Sequence, residues 1–121
     1  MCTFCNTQDR EILFETKEFY LVKDAYPVSE GHLLIVSKQH KENFFEIDAK
    51  LMRLLPSMLT KAKQIIETNL KPDGYNIGIN IGKDAGQTIF HLHIHLIPRY
   101  KDDVENPKGG IRNFKKSLVE Y

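Results

Sequence analysis

A chain of 121 residues with 41% hydrophobic and 27% charged residues has the size and composition of one globular domain. With 17 basic and 16 acidic residues the formal net charge is +1, which argues against nucleic acid or a membrane surface as partner and leaves a local site for a small anion. No apolar run approaches the roughly 20 residues of a membrane span. The opening MCTFCNTQDR lacks the basic and apolar segments of a secretory signal, so a cytoplasmic protein is expected. In that compartment Cys2 and Cys5 stay reduced, and a C-x-x-C pair reads as metal-binding or redox-active rather than as a bridge.

In chain order, EILFETKEFYLVKD (11–24) holds two short apolar runs split by Thr16, Lys17 and Glu18, which predicts two strands joined by a tight polar turn. AYPVSEG (25–31) is a connecting loop. HLLIVSK (32–38) is a continuous apolar run of strand length, the pattern of a buried strand. The period then changes. Leu51, Leu54, Leu55, Met58, Leu59, Ala62, Ile65 and Ile66 recur at spacings of three and four, an amphipathic helix with Asp48 as N-cap. Pro56 lies inside it and removes a backbone donor, so a kink or break is expected there. KPDG (71–74) ends the helix. GYNIGINIG (74–82) alternates as a strand, KDAGQT (83–88) is a turn, and IFHLHIHLIPR (89–99) is the last strand. The polar tail, 101–121, wraps the surface or reaches a partner subunit. Short links within the first and last strand pairs demand antiparallel pairing. The expected architecture is α+β, about five antiparallel strands with one long helix on one face and short helical segments.

Three of the five histidines fall in HLHIHLIPR, at every second position. On a strand they share one face, while Phe90, Leu92, Ile94 and Leu96 face the core. Neighbours in the row sit roughly 6.6 Å apart and the outer pair roughly 13 Å apart. One metal ion, which wants nitrogen at about 2.0–2.1 Å, does not take all three, so the row does at least two jobs. A solvated or packed row has little to recommend histidine over threonine or lysine. A metallo-hydrolase with His93 and His95 as ligands needs a further ligand that the strand does not supply. Covalent catalysis on phosphorus suits the row better. Imidazole is a competent nucleophile near neutral pH, and phosphoryl chemistry asks mostly for positioning and charge stabilisation.

His91-x-His93-x-His95 followed by Leu96 and Ile97 resembles the signature of the histidine triad family. EGHLLIVSK resembles the family's strand with a fourth histidine, His32, and NIGKDAGQT its loop before the triad. The resemblance spans roughly residues 2–100. It implies a HIT-like fold and a nucleotide hydrolase or transferase acting at an α-phosphorus through a nucleotidyl-histidine intermediate. By position, it implies His93 as nucleophile, His95 against the α-phosphate and His32 supporting the site. Gln87 and Thr88 would contact phosphate or leaving-group oxygens, Asp24 the ribose hydroxyls, and Asn80 would line the nucleotide site. These roles suit the residue types: a carboxylate accepts two hydroxyl hydrogen bonds, and the small residues of DAGQT let backbone amides approach phosphate.

Cys2-x-x-Cys5 alone is a weak signal, because a structural zinc needs four ligands. The branch of the triad family with this amino-terminal pair implies the other two: His40 in SKQHK, and His91. The resemblance therefore implies a structural zinc and no organic cofactor, an adenosine-type nucleotide substrate and a homodimer. The leading expectation is a dinucleoside polyphosphate hydrolase of the diadenosine tetraphosphate type, since KDDVENPKGGIR resembles tails of such bacterial members. A nucleoside 5'-phosphoramidate hydrolase, a nucleotidyltransferase or phosphorylase, and a nucleotide-binding regulatory module are the alternatives.

Overall fold

The structure, a computed structural model, describes residues 2–114. Five strands form one antiparallel sheet: β1 (Phe14–Glu15), β2 (Phe19–Lys23), β3 (Leu33–Ser37), β4 (Gly74–Gly78) and β5 (His93–Arg99). Their spatial order is β1-β2-β3-β5-β4, so the histidine strand is interior and lies between β3 and β4. The expected antiparallel sheet with one long helix is therefore the fold. The β1–β2 turn is held by Thr16, whose hydroxyl oxygen accepts the N–H groups of Glu18 and Phe19 at 3.2 and 3.1 Å.

The helix α1 runs over Ala49–Asn69, and the Asp48 side chain caps it by accepting the Leu51 N–H at 2.9 Å. It does not break at Pro56. That residue is exposed, as is Met52, whose carbonyl the proline leaves without a helical N–H donor. Leu51, Leu55, Met58, Ala62 and Ile66 bury against Phe19 and Leu21 of β2, Leu33 and Ile35 of β3, and Leu92, Ile94 and Leu96 around β5.

The other sheet face is covered as well. Tyr20, Val22, Leu34 and Val36 alternate with those helix-facing residues and pack with Phe4 from the amino-terminal segment. Phe4 is only 4% exposed, and its carbonyl accepts the Tyr20 hydroxyl at 2.6 Å. This second cover explains why β3 is apolar on both faces.

Three expectations need correction. β4 ends at Gly78 rather than running to residue 82. β5 starts at His93, not at Ile89: Leu92 donates its N–H to the Lys41 carbonyl, outside any strand pair, at 2.6 Å. Phe90 consequently faces solvent, 42% exposed, rather than the core. The period-two pattern overran the true strand because an irregular segment also places alternate side chains apart. Of the tail, residues 110–114 form a short 3₁₀ turn, and residues 115–121 lie outside the described residues.

Candidate active site and metal centre

The histidines divide into two constellations. His93 and His95 point from β5 to the sheet face away from α1, into a cavity of about 440 Å³. Asp24, Asn80, Gln87 and Thr88 line the same cavity, so six of the predicted residues converge there. The volume suits a small-molecule ligand. His32, the seventh, is 4% exposed and stands behind His95, next to Asp24. Gly31 lets the chain enter there with φ +92°. A Cβ at that position would lie 2.8 Å from Leu70 Cδ1.

The hydrogen bonds set which nitrogens carry protons. His93 Nδ1–H donates to the His91 carbonyl at 2.9 Å, which leaves the Nε2 lone pair free. The Val28 N–H donates to His32 Nδ1 at 3.2 Å. Neutral His32 then carries its proton on Nε2, which lies 2.9 Å from His95 Nδ1 and 3.2 Å from Asp24 Oδ2. His95 accepts at Nδ1 and so presents an N–H at Nε2. The site thus has a nucleophile with a lone pair and, beside it, an imidazole donor. Their ring centroids are 5.2 Å apart.

Burial favours the neutral forms. It pushes the His95 pKa down to about 4, with the neighbouring His93 and His32 adding to the shift and Asp24 opposing it. Burial also lowers the pKa of His32, against the pull of Asp24. Asp24 Oδ1 accepts the Tyr26 N–H at 2.8 Å, which holds the carboxylate beside both rings.

Gln87 is buried and its amide is committed to the loop. Oε1 accepts the Gly82 N–H at 2.9 Å, and Nε2 donates to the Glu42 and Ile89 carbonyls at 2.8 and 3.2 Å. Both amide protons are used, so this side chain shapes the loop around Gly86, whose φ is +95°. Thr88 and Asn80 remain exposed at the cavity. Sequence reasoning missed Thr3, Phe4, Arg10 and Tyr26 as cavity residues. One signal was available: Phe4 is a large apolar side chain between two cysteines in an otherwise polar segment.

The second constellation is Cys2, Cys5, His40 and His91, whose donor atoms all lie within 4.8 Å of one another. His91 Nδ1 is 3.3 Å from Cys2 Sγ, 3.5 Å from Cys5 Sγ and 3.1 Å from His40 Nδ1, and His40 Nδ1 is 3.3 Å from Cys5 Sγ. A tetrahedral zinc requires about 3.3 Å between two nitrogens and about 3.6 Å between nitrogen and sulfur. The buried His91 also has the right outer partner, since its Nε2–H donates to the Ser37 carbonyl at 2.6 Å and leaves Nδ1 free to ligate. The donor set fits zinc.

Asp24, His32 and His95 form another close group of donors, within the same 4.8 Å. Its hydrogen bonds point away from metal binding. The His32 Nδ1 lone pair already takes the Val28 N–H, so ligation through Nε2 would displace that ring's proton.

Comparison with known proteins agrees with this geometry. The HIT domain profile matches residues 6–102. An adenosine 5'-monophosphoramidase from Candida albicans is 38% identical over 84% of this chain and 72% of its own length. A histidine triad nucleotide-binding protein from Sulfolobus tokodaii superposes with a TM-score of 0.78 at 38% identity, covering 84% of this chain and 71% of that one. A zinc-bound histidine triad family protein from Mycobacterium smegmatis superposes with a TM-score of 0.75 at 30% identity, covering 84% and 77%. With a family profile across most of its length and the triad at the start of an interior strand of the matching fold, the chain belongs to the HIT family.

Proposed function

We propose that the protein is a nucleotide hydrolase that works by nucleotidyl transfer to His93. The observation that carries this reading is the His93 Nδ1–H bond to the His91 carbonyl, which leaves Nε2 free on a ring that lines the cavity. His93 Nε2 attacks the α-phosphorus, and the bond from phosphorus to the leaving group breaks with its electron pair. The histidine becomes an N-phosphorylated imidazolium that keeps its Nδ1–H, and the His91 carbonyl oxygen stabilises the positive charge. His95 Nε2–H donates to a non-bridging oxygen as charge builds there. The departing group takes up a proton from solvent; water then attacks phosphorus and returns a proton to solvent, the P–N bond breaks, and the lone pair returns to Nε2. Asp24 binds the ribose hydroxyls with what capacity its two histidine neighbours leave. Asn80 and Thr88 border the phosphates, and Gln87 acts by shaping the loop, in place of the direct phosphate contact expected from sequence.

The leaving group is the finer question. Diadenosine tetraphosphate was the leading expectation. The Candida albicans relative, an adenosine 5'-monophosphoramidase, favours an AMP phosphoramidate with an amine leaving group, and an adenosine-type nucleotide in either case. Cys2, Cys5, His40 and His91 would hold a structural zinc, a reading supported by their donor geometry and by the zinc-bound relative. Bound there, it would tie the amino-terminal segment to the sheet, apart from His93 and the phosphorus. A single-domain, cytoplasmic homodimer completes the proposal. Among the described residues no helix is long and apolar enough to cross a membrane.

The test is turnover of diadenosine tetraphosphate and of an AMP phosphoramidate, wild type beside His93→Ala, with products separated by chromatography. Release of AMP by wild type alone, with a nucleotidyl-protein adduct on acid quench, is the expected result. Wild type inert on both substrates would move the assignment to a nucleotide-binding regulatory module.

A further inference from the structure

The amino-terminal segment does more than bear metal ligands. Phe4 lies between Cys2 and Cys5, and its ring packs against the ring of His93 with centroids 5.0 Å apart and planes tilted by 59°. It also meets His91 edge-on at 6.0 Å. His93 is therefore flanked by Phe4 and by His95, while its Nδ1–H is fixed to the His91 carbonyl. An imidazole turns about its terminal torsion over a broad range. One hydrogen bond to the strand's own backbone limits that rotation weakly, and the packed rings limit it further.

The Phe4 backbone is itself held. Its carbonyl accepts the Tyr20 hydroxyl, and a turn closes from Cys5 N–H to the Cys2 carbonyl at 3.2 Å. The guanidinium of Arg10 covers the Phe4 ring 4.7 Å from its centroid. These contacts hold one buried aromatic ring against two imidazoles, nearer to that of His93 than to that of His91.

We propose that Phe4 is a positioning residue for His93, orienting its ring so that Nε2 addresses the substrate phosphorus. This rests on the nucleotidyl-transfer reading for its consequence in turnover, but not for the orientation itself. The loop that holds zinc is then also a wall of the active site. A metal bound to Cys2 and Cys5 restrains Phe4, and Phe4 restrains the nucleophile. Attack within a bound complex is sensitive to placement: a shift of about 1 Å costs on the order of a hundredfold in rate.

The experiment compares wild type, Phe4→Leu and Val22→Ala as zinc-loaded proteins. Val22 belongs to the same apolar cluster as Phe4, so its truncation thins that cluster and controls for stability. Three quantities are read: zinc per chain, single-turnover rate of nucleotidyl-enzyme formation, and two-bond proton–nitrogen NMR correlations of the His93 ring. Phe4→Leu is expected to keep its zinc and fold, slow adduct formation roughly ten- to a hundredfold, and broaden or double the His93 ring signals. Val22→Ala should do neither. Unchanged adduct formation with a single sharp His93 ring in Phe4→Leu overturns the proposal, as does an equal slowing in Val22→Ala. If wild type forms no adduct, the transfer reading fails, and the His93 ring signals alone decide the positioning role. Should Phe4→Leu not fold, wild type still answers: Overhauser contacts between the Phe4 and His93 rings with one His93 tautomer are expected, and their absence overturns the assignment.

Discussion

His32 Nε2 and His95 Nδ1 lie 2.9 Å apart, with Asp24 Oδ2 within 3.5 Å of both. Two imidazoles at that distance share one proton, and the Val28 N–H decides which ring holds it. The pair thus fixes the donor that His95 turns toward the cavity. His32→Phe removes the proton given to His95 and leaves the Val28 N–H without its acceptor. The expected outcome is a fall in kcat/KM of roughly ten- to a hundredfold, with a loss of about 1–3 kcal/mol in urea unfolding. Full activity in this variant would show that His95 finds its tautomer without His32.

Among the described residues, His93→Ala removes the one cavity imidazole with a free lone pair directed by a backbone bond. Turnover should fall by about a thousandfold or more, because loss of a covalent nucleophile removes the intermediate itself. Nucleotide affinity, read by calorimetry, should change little. A variant that still turns over at a tenth of the wild-type rate would sink nucleophilic catalysis at this position.

Stability should depend on pH through His95. Its folded pKa, pushed down to about 4 by burial, lies below the ordinary value of 6.5. Below 6.5 the unfolded chain binds a proton that the folded one refuses. Stability contributed by the neutral ring is therefore present at neutral pH, falls as pH drops from about 6.5 to about 4, and levels off below that. The limit of the effect is of order 3 kcal/mol. Urea unfolding at several pH values, with His95→Asn alongside, isolates it: the variant should show the shallower decline.

Metal analysis should find one zinc per chain, bound by Cys2, Cys5, His40 and His91. Chelation, or Cys2→Ala, should lower Tm by roughly 10 °C or more, because the binding energy of a structural zinc is folding energy. The loss of activity on chelation should follow the loosening of the amino terminus in time, not precede it. Immediate inactivation with the fold intact would place a metal in the chemistry.

Pro56→Ala should stabilise the protein. The position is exposed and interior to α1, and the alanine restores an N–H to the Met52 carbonyl without touching the core. A gain of about 1–3 kcal/mol in urea unfolding is expected. A loss would mean that the geometry imposed by the proline is used in packing α1 onto the sheet.

Much of this protein was legible in its residues. The three- and four-residue spacing from Leu51 to Ile66 with Asp48 before it marked α1, and the alternation of His93 and His95 with apolar partners marked β5. Both are local repeats, set by backbone geometry that the chain carries with it. The resemblance to the triad family then pointed to the residues that line the cavity and to the four metal ligands.

What the sequence could not show depends on neighbours distant along the chain. That β5 begins at His93 follows from Lys41, whose carbonyl takes the Leu92 N–H, and this is why Phe90 is outside. That Gln87 serves its loop follows from the Glu42 carbonyl, 45 residues away. Which nitrogen bears the proton in His32, His91 and His93 is set by Val28, Ser37 and the backbone of His91. An imidazole's type fixes what chemistry it is capable of. Its tautomer, burial and orientation are properties of the groups folded around it, and only the tertiary structure brings those groups to the ring.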